Sequence, residues 1–148
     1  MIDGIPDRDT LLHGDFHTNN VLLQGDEPQL IDMATLSHGH PIMELANIHA
    51  TYEGFRMVNP VMQEDYLRMS GETAHRFWQT LLPEYLGSTD DEYIRHVAAK
   101  AELLATLRLI SHFVRSTGSA TDTAVARAVQ IGRDRIAALL KTVDRLDF

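Results

Sequence analysis

"LLHGDFHTNNVLLQ", residues 11–24, sets two histidines, an aspartate and two asparagines between two apolar runs. The segments "NVLLQ" (20–24) and "QLIDM" (29–33) have the composition of short strands, and the "GDEP" between them carries the glycine and proline of a hairpin turn. Antiparallel pairing brings Asn20, which opens the first strand, and Asp32, which closes the second, to the same rim. Polar chemistry therefore collects at one end of a small hairpin.

The stretch can be written His13-x-Asp15-x-x-x-x-Asn20, with Asp32 following on a strand. Phosphoryl transfer from ATP needs a carboxylate near the attacking hydroxyl and oxygen ligands that hold Mg²⁺ against the phosphates. In kinases a loop of form H-x-D-x-x-x-x-N supplies the base and one ligand, and an Asp after the next strand supplies the second.

"LLHGDFHTNNVLL" followed by "QLIDMATLSHGHPIMELA" (29–46) resembles the catalytic loop and metal-binding segment of the aminoglycoside phosphotransferase and choline kinase superfamily. The resemblance implies Asp15 as the catalytic base, Asn20 and Asp32 as Mg²⁺ ligands, and His13 as structural support of the loop; His17 is either a contact to the phosphate of bound ATP or an ordinary loop histidine. Thr18 and Asn19 stand where Pro-Gly is common in that superfamily, a change in loop stiffness that removes no ligand. Glu44 stands where the superfamily usually has Asp, and no metal role is assigned to it. Specific matches span about residues 11–46; beyond them only the helical character agrees.

From Pro41 onward the apolar rhythm is helical. Ile42, Leu45, Ile48 and Tyr52 recur at three or four residues until Gly54 and Pro60 interrupt, and a second helix is expected near 60–69. Ser70 caps a third, with Ala74, Phe77, Trp78, Leu81, Leu82 and Tyr85 on one face, which Pro83 ends or bends. "TDDE" (89–92) has the pattern of a capping box, with Thr89 as cap, opening a long central helix to about Arg115. "STGSATD" (116–122) breaks it. A last helix carrying Val125, Val129, Gly132, Ile136, Leu139, Val143 and Leu146 packs on the long one.

The fold class expected is mainly α with a small N-terminal β-hairpin, resembling the helical C-lobe of a protein-kinase-like fold. Residues 1–148 form one domain, with the catalytic loop and hairpin at 11–40 and a helical, substrate-side subdomain at 41–148. Too few residues precede the motif for the superfamily's N-terminal nucleotide lobe. Its absence should leave apolar surface of the long helix and hairpin uncovered, so self-association or a missing N-lobe partner is expected.

At 148 residues and 44% hydrophobic, the chain can bury one real core, and it contains no cysteine. The N-terminus has no apolar leader and no window reaches membrane-spanning length, so a cytoplasmic protein that does not engage the membrane is expected. Net charge is -8, and residues 1–40 hold seven acids against one base. That balance disfavours nucleic acid; on charge alone a solvated acidic loop is the favoured reading, ahead of a surface that attracts metal ions or amines. The mild basic cluster at Arg127, Arg133 and Arg135 is accounted for by the helix dipole and i to i+4 pairing.

The function implied is that of an ATP:alcohol phosphotransferase, moving the γ-phosphate to a hydroxyl of a small molecule such as an aminoglycoside, another amino alcohol or a sugar, with activity impaired in this chain alone. The acceptor, a cation on this reading, lies between the loop and the later helices, where Glu44, Glu53, Asp90 or Asp91 meets its amine. The terminal "LDF" either brings the chain's own carboxylate toward substrate, as resemblance to some aminoglycoside kinases implies, or frays. Two other readings stand beside this one. The first is a kinase-like interaction module that transfers nothing. The second is a metal-dependent hydrolase, since His13-x-Asp15-x-His17 with His38, His40 and His49 nearby has ligand spacing for Zn²⁺.

Overall fold

The structure, a computed structural model, describes residues 4–116 and 123–148, with backbone alone for Val58, Ser116, Thr123 and Ala124. The helix break expected at "STGSATD" falls almost wholly outside the described residues. The architecture is mainly helical with a small β portion at the N-terminus.

The hairpin forms from β2 (Val21–Gln24) and β3 (Glu27–Leu30), paired antiparallel with Val21 opposite Leu30 and Gln24 opposite Glu27. Its turn is only Gly25-Asp26, shorter than the "GDEP" expected, because Gly25 takes φ +65° and reverses the chain tightly. Pro28 then sits inside β3, which a two-stranded ribbon tolerates since both strands are edges. A second ribbon was not foreseen: β1 (Thr10–Leu12) pairs antiparallel with β4 (Ser37–Gly39), so one hairpin is nested inside the other.

Helix α1 (Ile42–His49) does not stop at Gly54 but widens into a π turn, Ala50–Gly54, and continues as α2 (Phe55–Val58). Gly54 is there for close packing, since a Cβ on it would lie 2.5 Å from Leu109 Cδ1. The buried Gln63 supports the π turn, its Nε2 donating to the carbonyls of Thr51 (3.1 Å) and Tyr52 (2.6 Å). Gln63 lies in α3 (Pro60–Leu67), which Asn59 caps through Met62 N–H. Ser70 caps α4 (Gly71–Leu86) as expected, but α4 runs through Pro83 and ends only where Gly87 turns left-handed at φ +58°.

The cap of α5 (Asp91–Ser116) is Asp90 and not Thr89: its Oδ1 accepts from the N–H groups of Glu92 (2.9 Å) and Tyr93 (3.2 Å). An aspartate one residue closer to the helix displaces the threonine from the cap. Helix α5 is central, with α1 and the π turn on one side and α6 (Thr123–Leu139) on another. Ile42, Leu45, Tyr52, Trp78, Val97, Leu103 and Leu104 form the core. Helix α6 is shorter than its apolar repeat; Val143 and Leu146 are buried from the tail beyond it.

That tail neither frays nor reaches Asp15. Arg8 donates to the Phe148 carbonyl (2.9 Å), Lys100 donates to the Asp147 carbonyl, and the Phe148 ring meets His40 edge-on. Apolar surface is uncovered on the hairpin side, where Leu11, Leu22, Leu23, Leu30, Ile31, Met33 and Leu36 are exposed; on α5 only Tyr93 and Val114 are exposed large apolar side chains among the described residues, because α1 and α6 cover the rest. No described helix is long and apolar enough to cross a membrane.

Replacing Gln63 by Leu keeps volume but removes the donor from two π-turn carbonyls. A loss of about 1–3 kcal/mol is expected in urea unfolding; an unchanged midpoint would show that the π turn stands without it.

Candidate active site

Residues 13–15 belong to no helix or strand, so their backbone groups are satisfied by side chains brought from elsewhere. Gly14 N–H donates to Glu44 Oε2 (2.8 Å), Asn47 Nδ2 donates to the Gly14 carbonyl (2.9 Å), and Thr35 Oγ1 donates to the His13 carbonyl (2.7 Å). Glu44 and Asn47 are three apart on α1 and present one face to the loop. Gly14 needs its missing side chain: φ is +80°, and a Cβ would lie 2.8 Å from the Thr35 carbonyl oxygen.

His13 is buried, and both its nitrogens are used. Nδ1 accepts from Asp15 N–H (3.3 Å), so Nε2 carries the proton and donates to the Ile31 carbonyl (3.0 Å). The ring thus links the loop to the segment that ends at Asp32. With both nitrogens engaged, His13 has none for Zn²⁺. His38 pairs instead with Asp9, His40 accepts from Ile42 N–H, and His49 lines a different cavity. Among the described residues no three His, Cys, Asp or Glu side chains gather to hold a metal, which removes the structural basis of the H-x-D-x-H hydrolase reading.

Asp15 is half-exposed at the end of this braced loop. Asn20, buried in the 3₁₀ turn Thr18–Asn20 and not yet in the strand, donates its Nδ2 to the Asp15 carbonyl (2.9 Å), and its own carbonyl accepts from Ile31 N–H (3.0 Å). That orientation commits the amide nitrogen and leaves Oδ1 without a hydrogen-bond partner among the described residues. Asp32 follows Ile31 in the left-handed region, φ +60°, capping the 3₁₀ turn Met33–Thr35 by position only; its exposed carboxylate makes no hydrogen bond among the described residues. The residues at this rim therefore offer a free amide oxygen and a free carboxylate, hard oxygen donors of the kind that suit Mg²⁺. Thr18 and Asn19 tie the loop to the end of α3, donating to the carbonyls of Leu67 (3.4 Å) and Tyr66 (2.8 Å). His17 is buried edge-on against Tyr66, with Nε2 3.6 Å from Asp15 Oδ2.

A cleft of about 740 Å³ opens beside Asp15, bounded by the loop, by α1 with the π turn, and by the later half of α5. None of the four acids expected to meet an amine lines it. Glu44 is spent on Gly14, Asp90 caps α5 and Asp91 begins it, and Glu53 accepts from His75 (2.7 Å) in a separate cavity of about 480 Å³. That second cavity also holds the Arg135–Glu102 ion pair, and His49 packs edge-on against Trp78 at its wall. Burial holds the His49 imidazole at about 4, with Glu102 opposing the shift and Arg135 adding to it.

The sequence motif singles out Asp15, Asn20 and Asp32 but not the braces Thr35, Glu44 and Asn47. The only signal for these was the i, i+3 spacing of Glu44 and Asn47 on a helix that follows the loop.

The family described as "Phosphotransferase enzyme family" matches residues 2–81, from the N-terminal segment through most of α4. No curated protein and no solved structure matches the chain.

Two outcomes are expected. Glu44→Ala leaves Gly14 N–H without a partner and should cost about 1–3 kcal/mol, whereas Glu44→Gln retains an acceptor and should cost less than half of that; equal thermal shifts for the two would contradict the brace. Folded His49 takes up its proton near pH 4 but in the unfolded chain near 6.5, so the unfolded state binds more protons between these values. Stability should be complete above pH 6.5 and fall by roughly 3 kcal/mol as pH drops to 4. His49→Phe should flatten that limb in pH-dependent urea unfolding.

Proposed function

The chain belongs to the phosphotransferase enzyme family, and we propose that it carries the transfer centre of an ATP-dependent small-molecule kinase, with Asp15 at the acceptor hydroxyl and Asn20 and Asp32 as the oxygen ligands for Mg²⁺. The observation that carries this reading is the bond from Asn20 Nδ2 to the Asp15 carbonyl. It fixes base and ligand within one loop and turns the amide so that its oxygen is the free end. The Ile31 N–H to Asn20 carbonyl bond then holds the approach to Asp32 at the same rim.

Asp15 orients the acceptor hydroxyl and accepts its proton as the acceptor oxygen bonds to the γ-phosphorus; the bond from that phosphorus to the bridging oxygen breaks, and ADP leaves. His13 sets the position of Asp15 by accepting from its N–H, and it reaches Ile31 with the other nitrogen. His17, whose Nε2 faces the Asp15 carboxylate, is assigned the contact to the transferred phosphate. Bound Mg²⁺ supplies neutralisation of phosphate charge. The cleft beside Asp15 is the acceptor site on this reading.

Calorimetric titration of Mg²⁺·ATP tests the assignment. Asp32→Asn should weaken binding at least tenfold, while Asp15→Asn should leave it within about twofold and lower transfer to an alcohol by ~10²–10⁴-fold. Binding unaffected by Asp32→Asn would overturn the ligand assignment.

A further inference from the structure

The cleft beside Asp15 has a charge opposite to that of the segment that builds the loop. Arg108, His112 and Arg115, at i, i+4 and i+7 on α5, line it together, and among the described residues Asp15 is the only carboxylate of its walls. Neither arginine forms an ion pair with a carboxylate among the described residues. Arg115 donates Nε to the Ser111 carbonyl of its own helix, and among the described residues no acceptor takes its terminal nitrogens. Each guanidinium presents a planar fork of donors that fits a carboxylate or phosphate.

The helix dipole accounts for part of this pattern, since His112 and Arg115 lie in the last two turns of α5. It does not account for Arg108, which is a further turn back, beyond the reach of the helix end. Asn20 and Asp32, the residues assigned to Mg²⁺·ATP, are not among the cleft walls. Asp15 is the one transfer-site group assigned above that lines it, which places the basic row on the acceptor side.

We propose that the acceptor is an alcohol bearing its own anionic group, a carboxylate or a phosphate ester, which Arg108 and Arg115 hold while its hydroxyl meets Asp15. This rests on the kinase reading above and replaces the cationic acceptor expected from the sequence. The reaction that consumes such a product would act on a phosphorylated acid or a bisphosphate.

The test uses the full chain and three probes without nucleotide: D-glycerate, glycerol 3-phosphate and choline, each titrated by NMR with the Arg108→Gln/Arg115→Gln variant alongside. Both positions are exposed, and a melting curve matched to the parent confirms that the variant folds. At least one anionic alcohol should bind tenfold or more tightly than choline, and the variant should lose that binding tenfold or more while its Mg²⁺·ATP titration changes less than twofold. Three results would overturn the proposal: choline binding as well as the anionic alcohols, no difference among the probes including no binding of any, or Mg²⁺·ATP weakened by the variant as much as the anionic alcohol. The last would assign the arginines to nucleotide phosphates. Loss of Mg²⁺·ATP binding in Asp32→Asn is read separately, so failure of the acceptor assignment and failure of the kinase assignment remain distinguishable.

Discussion

The peptide groups around Gly14 make no hydrogen bonds of regular secondary structure, and everything at the site depends on how they are satisfied. Glu44 takes the N–H, Asn47 serves the carbonyl, and Thr35 serves the carbonyl before it. These three side chains come from the start of the helical part and from the segment after the hairpin, so the loop takes its shape only where both meet. A buried carboxylate with one oxygen on a peptide N–H and the other unpartnered is costly alone. Its cost is offset by holding a left-handed glycine that no other residue can replace without striking the Thr35 carbonyl.

The helical part is organised for the same end. Continuing α1 as an ordinary α-helix past His49 would keep a 3.6-residue rhythm. The π turn instead shifts the phase of the helix before α2, and Gly54 lets it approach Leu109 on α5. Gln63 makes that turn tenable by donating to its carbonyls. The cleft beside Asp15 is bounded by this turn on one side and by α5 on the other. Two residues of the irregular turn, Ala50 and Thr51, thus form part of the cleft wall.

Much of this was legible in the residues and some was not, for identifiable reasons. The hairpin, the apolar stripes of α1 and α4, the Ser70 cap and the packing of α6 on α5 follow from local pattern, which is where periodicity and capping chemistry act. The β1–β4 ribbon escaped because "TLL" and "SHG" are three residues each, without alternation, and lie 24 residues apart along the chain. Asp90 displaced Thr89 because either can cap and only geometry chooses. At the site, the spacing of Asp15, Asn20 and Asp32 is a sequence property, and the hydrogen bond from Asn20 to Asp15 made it concrete. The basic lining of the cleft beside Asp15 was not legible, since an acidic N-terminal segment says nothing of what a distant helix presents to it. Glu44 and Glu53 each have a local partner and Asp90 caps α5, while Arg108 and Arg115 of α5 line the cleft beside Asp15.

The nesting of one ribbon inside the other bears on the order in which the site forms. The β2–β3 turn joins strands only two residues apart and closes at small entropic cost. Pairing of Thr10 with Gly39 must close a loop of some thirty residues, but once the inner ribbon has formed, most of that length is already folded back. The outer pairing then has only the loop 13–20 and the segment 31–36 left to order, and those are the residues that hold Asp15, Asn20 and Asp32. By loop-closure entropy alone, pairing that begins at the Gly25 turn shortens the closure left for the segments that carry Asp15, Asn20 and Asp32.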